Sequence, residues 1–179
     1  MQARKTIMAM ALAAASSLTL AVPTLAQAEL RGPAQVTGTS GSLDELAGGS
    51  RLWDGQKVRA EDTVVAYEWD ASDPRLTGEL MLKYTSHVYE SDGLYLASGR
   101  STLETADGNW VGSARYVGGD EMEGTSTIVM EGQGPYEGLT AYVMVAMDAR
   151  PITFNAGIFP GDLPEPPVLV QRTSRLGGR

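Results

Sequence analysis

From Val64 onward, short runs of β-branched and aromatic residues alternate with clusters of Gly, Asp, Asn and Pro. The runs are 64–69, 77–89, 94–105, 109–117, 124–131, 140–148 and 152–159, and one more is read near 34–42. Between them stand DASDPR, ESDG, TADGN, VGGDE, GQGPYEG and ARP. Such connections suit hairpins and are too short for crossover helices, so the pattern predicts an all-β fold of about eight antiparallel strands. Asp92-Gly93 and Asp107-Gly108-Asn109 supply residues that tolerate the positive φ of tight turns. Segment 43–60 is the least regular, and Leu43-Asp44-Glu45-Leu46 reads as a helical turn ended by Gly48-Gly49.

Alternation within the runs assigns their faces, because successive strand side chains point to opposite sides. One face of 80–89 carries Leu80, Leu82, Tyr84 and Val88, and the other Met81, Lys83, Thr85 and His87. Trp110, Gly112, Ala114 and Tyr116 share a face. So do Leu139, Ala141, Val143, Val145 and Met147, although Tyr142, Met144 and Ala146 behind them are also rather apolar. Two half-apolar faces fit a central strand or a contact between copies of a homo-oligomer. Gly99, Gly112 and Gly124 fall inside runs, where glycine marks tight bends at barrel corners, which favours a closed barrel over a flat sandwich.

The first residues follow a different pattern. Arg4 and Lys5 precede the uncharged run Ile7 to Val22, Pro23 breaks it, and Ala26-Gln27-Ala28 offers a small–x–small cleavage site. The apolar run of 16 residues includes Ser16, Ser17 and Thr19 and falls short of the roughly 20 residues that span a bilayer. Residues 1–28 are therefore read as a signal peptide cleaved near Ala28, with export to the periplasm or medium and no stable membrane anchor. Residues 29–163 form the barrel domain, and the Pro/Arg-rich stretch 164–179 an extended tail.

Charge and composition narrow the chemistry. Without the two cations of the leader, 12 Lys/Arg stand against 22 Asp/Glu, a net charge of −10. A surface that acidic disfavours nucleic acid and anionic lipid. The absence of cysteine excludes thiol catalysis and Cys-based metal sites, and the single histidine, His87, excludes His-rich zinc sites. Asp70, Asp73 and Asp107 lack calcium-loop spacing, so no metal and no cofactor is expected. Gly132-Gln133-Gly134-Pro135-Tyr136-Glu137-Gly138 is not a phosphate loop: it contains proline and leads into a strand instead of a helix. It reads as a strand-to-strand corner whose Tyr136 plugs the barrel end.

Trp69, Tyr84, Trp110 and Tyr142 give the strands aromatic surface suited to a small apolar or amphipathic ligand, and Arg100 and Glu131 are mid-strand charges. Inside a lumen such charges must pair or meet a ligand, and on the outer face they need do neither. These six are the candidate ligand-binding residues, and no catalytic residue is assigned.

The phrases ASDPRLTG (71–78), GNWVG (108–112), GQGPYEGLTAY (132–142) and GIFPG (157–161) resemble a group of uncharacterised bacterial secreted β-barrel proteins. The GQGPYEG corner also resembles the glycine-rich corner of the allene oxide cyclase and dirigent barrel superfamily. That resemblance implies an eight-stranded antiparallel barrel open at one end, in a group that cyclises or couples small hydrophobic molecules. Three functions follow as expectations: a non-catalytic carrier of a small apolar molecule, a cyclase or isomerase, and a structural envelope protein acting through oligomer contacts.

Overall fold

Strand alternation needs a partner for every backbone edge, and in this chain the pairing runs full circle. A computed structural model describes residues 32–53, 55, 57–91, 93–119, 123–148 and 150–162, without the side chains of 42 and 43. The proposed leader and tail, Asp92, and Asp120-Glu121-Met122 of the acidic GGDEMEG patch lie outside the described residues. The strands are β1 (Ala34–Ala47), β2 (Ser50–Trp53), β3 (Lys57–Ala71), β4 (Gly78–Tyr89), β5 (Leu94–Thr105), β6 (Asn109–Gly119), β7 (Gly124–Gln133), β8 (Leu139–Ala146) and β9 (Ile152–Pro160). Sheet order is β1-β9-β8-β7-β6-β5-β4-β3-β2, with β1 also paired to β3. Eight antiparallel strands thus form a closed, barrel-like ring, and β2 adds a short extension on the β3 edge. Among the described residues, no helix is long and apolar enough to cross a membrane.

The irregular stretch 43–60 is strand, not the helical turn read from its sequence. Leu43 to Ala47 continue β1 along β3, pairing with Tyr67 to Val64, and β2 takes over the same edge from Ser50↔Glu61 to Trp53↔Val58. The free edge of β3 decides this, because it offers ladder hydrogen bonds that a lone helical turn cannot match. The break at Gly48-Gly49 faces a bulge in β3 between Ala60 and Thr63, where Asp62 takes φ 57°. Glycine is required at 49, since a Cβ there would collide with the Glu61 carbonyl.

The inward positions run 63, 65, 67 and 69 in β3; 80, 82, 84 and 86 in β4; 95 to 103 at odd positions in β5; and 110, 112, 114 and 116 in β6. They continue at 126, 128 and 130 in β7, 139 to 145 at odd positions in β8, and 152, 154 and 158 in β9. The faces read from alternation hold in β4, β6 and β8. The glycine at 112 presses so closely on β7 that a Cβ would strike the Val129 carbonyl, as a strongly coiled ring demands.

The ring has two unlike ends. At the end where β3 turns into β4, β5 into β6 and β7 into β8, large side chains fill the lumen. Trp69 stacks on Phe154 at 4.4 Å, and Trp110 on Tyr136 at 5.2 Å, with Leu76, Leu80, Leu103 and Met130 fully buried around them. The corner tyrosine is the plug its sequence suggests, and its hydroxyl lies 3.0 Å from Thr105 Oγ1. A short 3-10 turn at Pro74–Leu76 is capped by Asp73, whose carboxylate accepts the Arg75 backbone N–H at 3.0 Å. The Arg75 guanidinium then folds back onto Asp73 (Nη2–Oδ2 2.6 Å) and donates to the Gly32 carbonyl at 2.8 Å. The Arg75 carbonyl in turn accepts the Trp110 indole N–H at 2.7 Å. Asp73, Arg75, the Trp110 indole and the Tyr136 hydroxyl all have partners, as burial requires.

Two predictions follow from this architecture. The Arg75 guanidinium holds the Asp73 carboxyl below its ordinary value, outweighing partial burial, which opposes it. The folded pKa is depressed, so the pair's contribution is full above the ordinary aspartate value of about 3.9. It is lost as pH falls below that point. Asp73→Asn should cost about 3 kcal/mol at neutral pH by stranding the buried Arg75, and should flatten the acid loss between neutral pH and pH ~3 in urea melts. On the outer face, Glu68 lies directly opposite Glu79, and Glu79 directly opposite Glu104. Like charges so placed repel. Glu79→Lys should raise stability by about 0.5–1 kcal/mol in low-salt melts, and added salt should shrink the gain.

Candidate functional site

At the opposite end the inward residues shrink. Ala97, Gly99, Ser101, Gly112, Ala114 and Ser126 replace the large side chains of the plug, and a cavity results. Its volume is about 60 Å³, and Tyr67, Leu82, Tyr84, Tyr95, Ala97, Ala114, Tyr116, Ser126 and Met147 line it. Beneath it lies a second void of about 30 Å³ that reaches Ser40, Trp69, Leu80 and Ile152. Tyr67, Leu82, Ser126 and Met147 border both, so the two are compartments of one lumen.

Register sets the height of each lining residue. Ala97 pairs with Tyr116, Tyr116 with Ser126, and Ser126 with Val145, which brings β5 to β8 to a common level. Tyr84 lies opposite Gly99 and Leu82 opposite Ser101, so small residues of β5 face the larger ones of β4. Arg115 touches the cavity through its backbone: its carbonyl accepts the Ser126 hydroxyl at 3.2 Å, and its side chain is on the exposed face.

Four tyrosines ring the cavity, with Tyr95 as their common neighbour. The Tyr95 and Tyr116 rings meet edge to face at 5.4 Å, and Tyr84 lines the same cavity beside them. Burial pushes the phenols of Tyr67, Tyr84 and Tyr116 above their ordinary value, and the neighbouring Tyr95 adds to the effect in each. Arg150 opposes it at Tyr67, whereas Glu45 and Glu123 reinforce it at Tyr84 and Tyr116. Phenols so held are neutral at physiological pH and act as hydrogen-bonding groups rather than bases.

The six residues singled out from the sequence are not brought together. Tyr84 lines the cavity, and Trp69 forms part of the floor of the lower compartment. Trp110 is fully buried in the plug at the other end. Arg100 and Glu131 are exposed on the outer face, and Tyr142 is half-buried there. Arg100 borders an outer groove with Asp62 and Lys83, which pair at 2.9 Å. Alternation already carries the reason. Leu103, Met130 and Val143 point inward, so residues an odd number of steps away point outward. The same parity, counted from Trp69, Leu103 and Trp110, turns Tyr67, Tyr95 and Tyr116 inward, and these are the lining residues the sequence reading passed over.

His87 stands on the outer face opposite Arg59 and Leu96, and its buried Nδ1 has no partner among the described residues. Among the described residues, no group of three or more His, Cys, Asp or Glu side chains could hold a metal ion. Comparison with family models, curated proteins and solved structures finds no match. The lumen must therefore be interpreted from its own chemistry.

Raised phenol pKa values make stability depend on alkaline pH. The contribution is fully present below the ordinary phenol value of about 10 and is lost as pH rises through the higher folded values. Near-ultraviolet absorbance titration should show at least three of the seven tyrosines ionising only when the barrel unfolds. Ionisation of all seven in one step near pH ~10, with the fold intact, would contradict the buried ring.

Proposed function

We propose that this protein is an exported, non-catalytic β-barrel that holds a small apolar or amphipathic molecule in its tyrosine-ringed end. The observation that carries this reading is the uneven filling of the lumen. One end is packed solid with aromatic side chains, and the other leaves an apolar cavity beneath a ring of neutral phenols. Empty apolar space is costly, because its lining forgoes both dispersion contacts and burial. A guest that fills it recovers both. Export rests on the leader-like residues 1–28 and fits the acidic, cysteine-free composition.

Magnitude restricts the guest. A cavity of about 150 Å³ accommodates benzene, and about 10–15 Å³ suffices for one water. Compartments of about 60 and 30 Å³ lie between these limits and suit an aliphatic chain end better than a ring. The barrel would therefore grip one slim portion of its ligand and leave any bulkier part at the mouth, against the tyrosines.

A filled cavity should bind nothing. Ala97→Leu places extra methylene groups in the upper compartment, and the void gives them room without forcing the backbone. In calorimetric titration with straight-chain aliphatic compounds, the variant should bind at least ~10-fold more weakly, a loss of about 1.4 kcal/mol, while melting no lower than the parent. Undiminished binding by a folded Ala97→Leu protein would place the ligand elsewhere.

A further inference from the structure

Beside the cavity the sheet extends past the point where β1 ends. β1 leaves β3 at Ala47↔Val64, and β2 takes up the same edge from Glu61 to Val58. Register then lines up one row across four strands: Trp53 lies opposite Val58, Val58 opposite Val88, and Val88 opposite Tyr95. Directly opposed residues share a face, and Tyr95 lines the cavity, so all four stand on the lumen side. The next row down holds Ala97, Tyr116 and Ser126 at the level of the upper compartment. Beyond Tyr95 the upper row continues through Gly118 and Gly124, which carry no side chain.

Trp53 stands apart from the other tryptophans. It is 56% exposed, whereas Trp69 and Trp110 are buried. Leu52, Met81, Val111, Val117 and Met144 are also exposed, but parity puts them on the outer face, where single apolar residues are ordinary. A tryptophan bared on the lumen side, in line with a cavity-lining tyrosine, leaves a large apolar surface in water next to the site. Resting on the proposed carrier function, we infer that Trp53, Val58 and Val88 are the second half of that site and that its ligand joins an alkyl chain to a planar aromatic ring. The chain enters the cavity, and the ring stacks on the Trp53 indole.

Shape and charge select a ring. Compartments of about 60 and 30 Å³ cannot take a benzene-sized group, which needs about 150 Å³, so a ring attached to a buried chain stays outside. There the row from Trp53 to Tyr95 offers a broad apolar wall, and a planar group buries a full face against such a wall. Trp53 stands three strands from Tyr95, about 14 Å along the sheet at ~4.8 Å per strand, which leaves room for a ring lying flat between them. Arg51 shares the lumen-side face one row lower, opposite Ala60, and a guanidinium attracts an aromatic face but not a saturated chain.

The test uses 4-pentylphenol and 1-pentanol, which share a chain and a hydroxyl and differ in the ring. In calorimetric titration 4-pentylphenol should bind about tenfold more tightly than 1-pentanol. Trp53→Ala should cut that advantage about fivefold and leave 1-pentanol binding unchanged. It should melt with the parent, because the ring of strands closes without β2. In the unaltered protein, iodide should quench one tryptophan of the three, Trp53, and saturating 4-pentylphenol should protect it where 1-pentanol does not. An unchanged advantage in Trp53→Ala, or undiminished iodide access with 4-pentylphenol bound, would overturn the inference and leave the carrier reading in place. Protection from iodide before any ligand is added, together with a dimer in sedimentation, would assign the wall to a second copy of the chain and overturn the inference as well. If neither compound binds, the carrier reading itself falls and the inference falls with it.

Discussion

An eight-stranded ring encloses a space that side chains can just fill, and this limit governs the molecule. With the ring closed by β1 pairing to both β9 and β3, lumen volume at each level depends only on which residues alternate inward there. Trp69, Phe154, Trp110 and Tyr136 exhaust the space at one end. Ala97, Ala114 and Ser126 cannot do so at the other, even with four tyrosines around them. The cavity is thus a consequence of residue size along a fixed tube and needs no loop or lid to create it.

Polar groups follow the same division. In the plug, Asp73, Arg75, the Trp110 indole and the Tyr136 hydroxyl satisfy one another and the backbone, so that end is rigidly specified. In the open half, among the described residues, the Ser40, Ser101 and Tyr116 hydroxyls are buried without partners. Packing is thereby uneven along the axis. The filled end is close-packed and hydrogen-bonded, whereas the other end keeps two small compartments.

Most of the fold was legible in the chain. The turn clusters located seven of the ring strands to within a few residues, apart from β3, which begins seven residues before the run at 64. The failure at 43–60 was of another kind, because only the exposed edge of β3 makes that segment a strand. The candidate site was less legible. Tyr84 stands beside the cavity on the inward face of a run that alternates cleanly, whereas Arg100, Glu131 and Tyr142 fall on the outer side of their own strands. Tyr67, Tyr95 and Tyr116 obey that parity, but aromatic inward positions are ordinary core until something shows that the space beside them is vacant.

By itself, then, the sequence determined an all-β antiparallel chain, the places where it turns, and which side chains face inward. All three are local properties, set by turn residues and by the two-residue period of a strand. Only the tertiary structure decided that the ring closes, that β1 and β2 share an edge of β3, and that tyrosines from β3, β4, β5 and β6 meet around one void. Those outcomes depend on register, which fixes how high each inward residue sits relative to residues on other strands. Register is a property of paired strands, so no single stretch of sequence contains it.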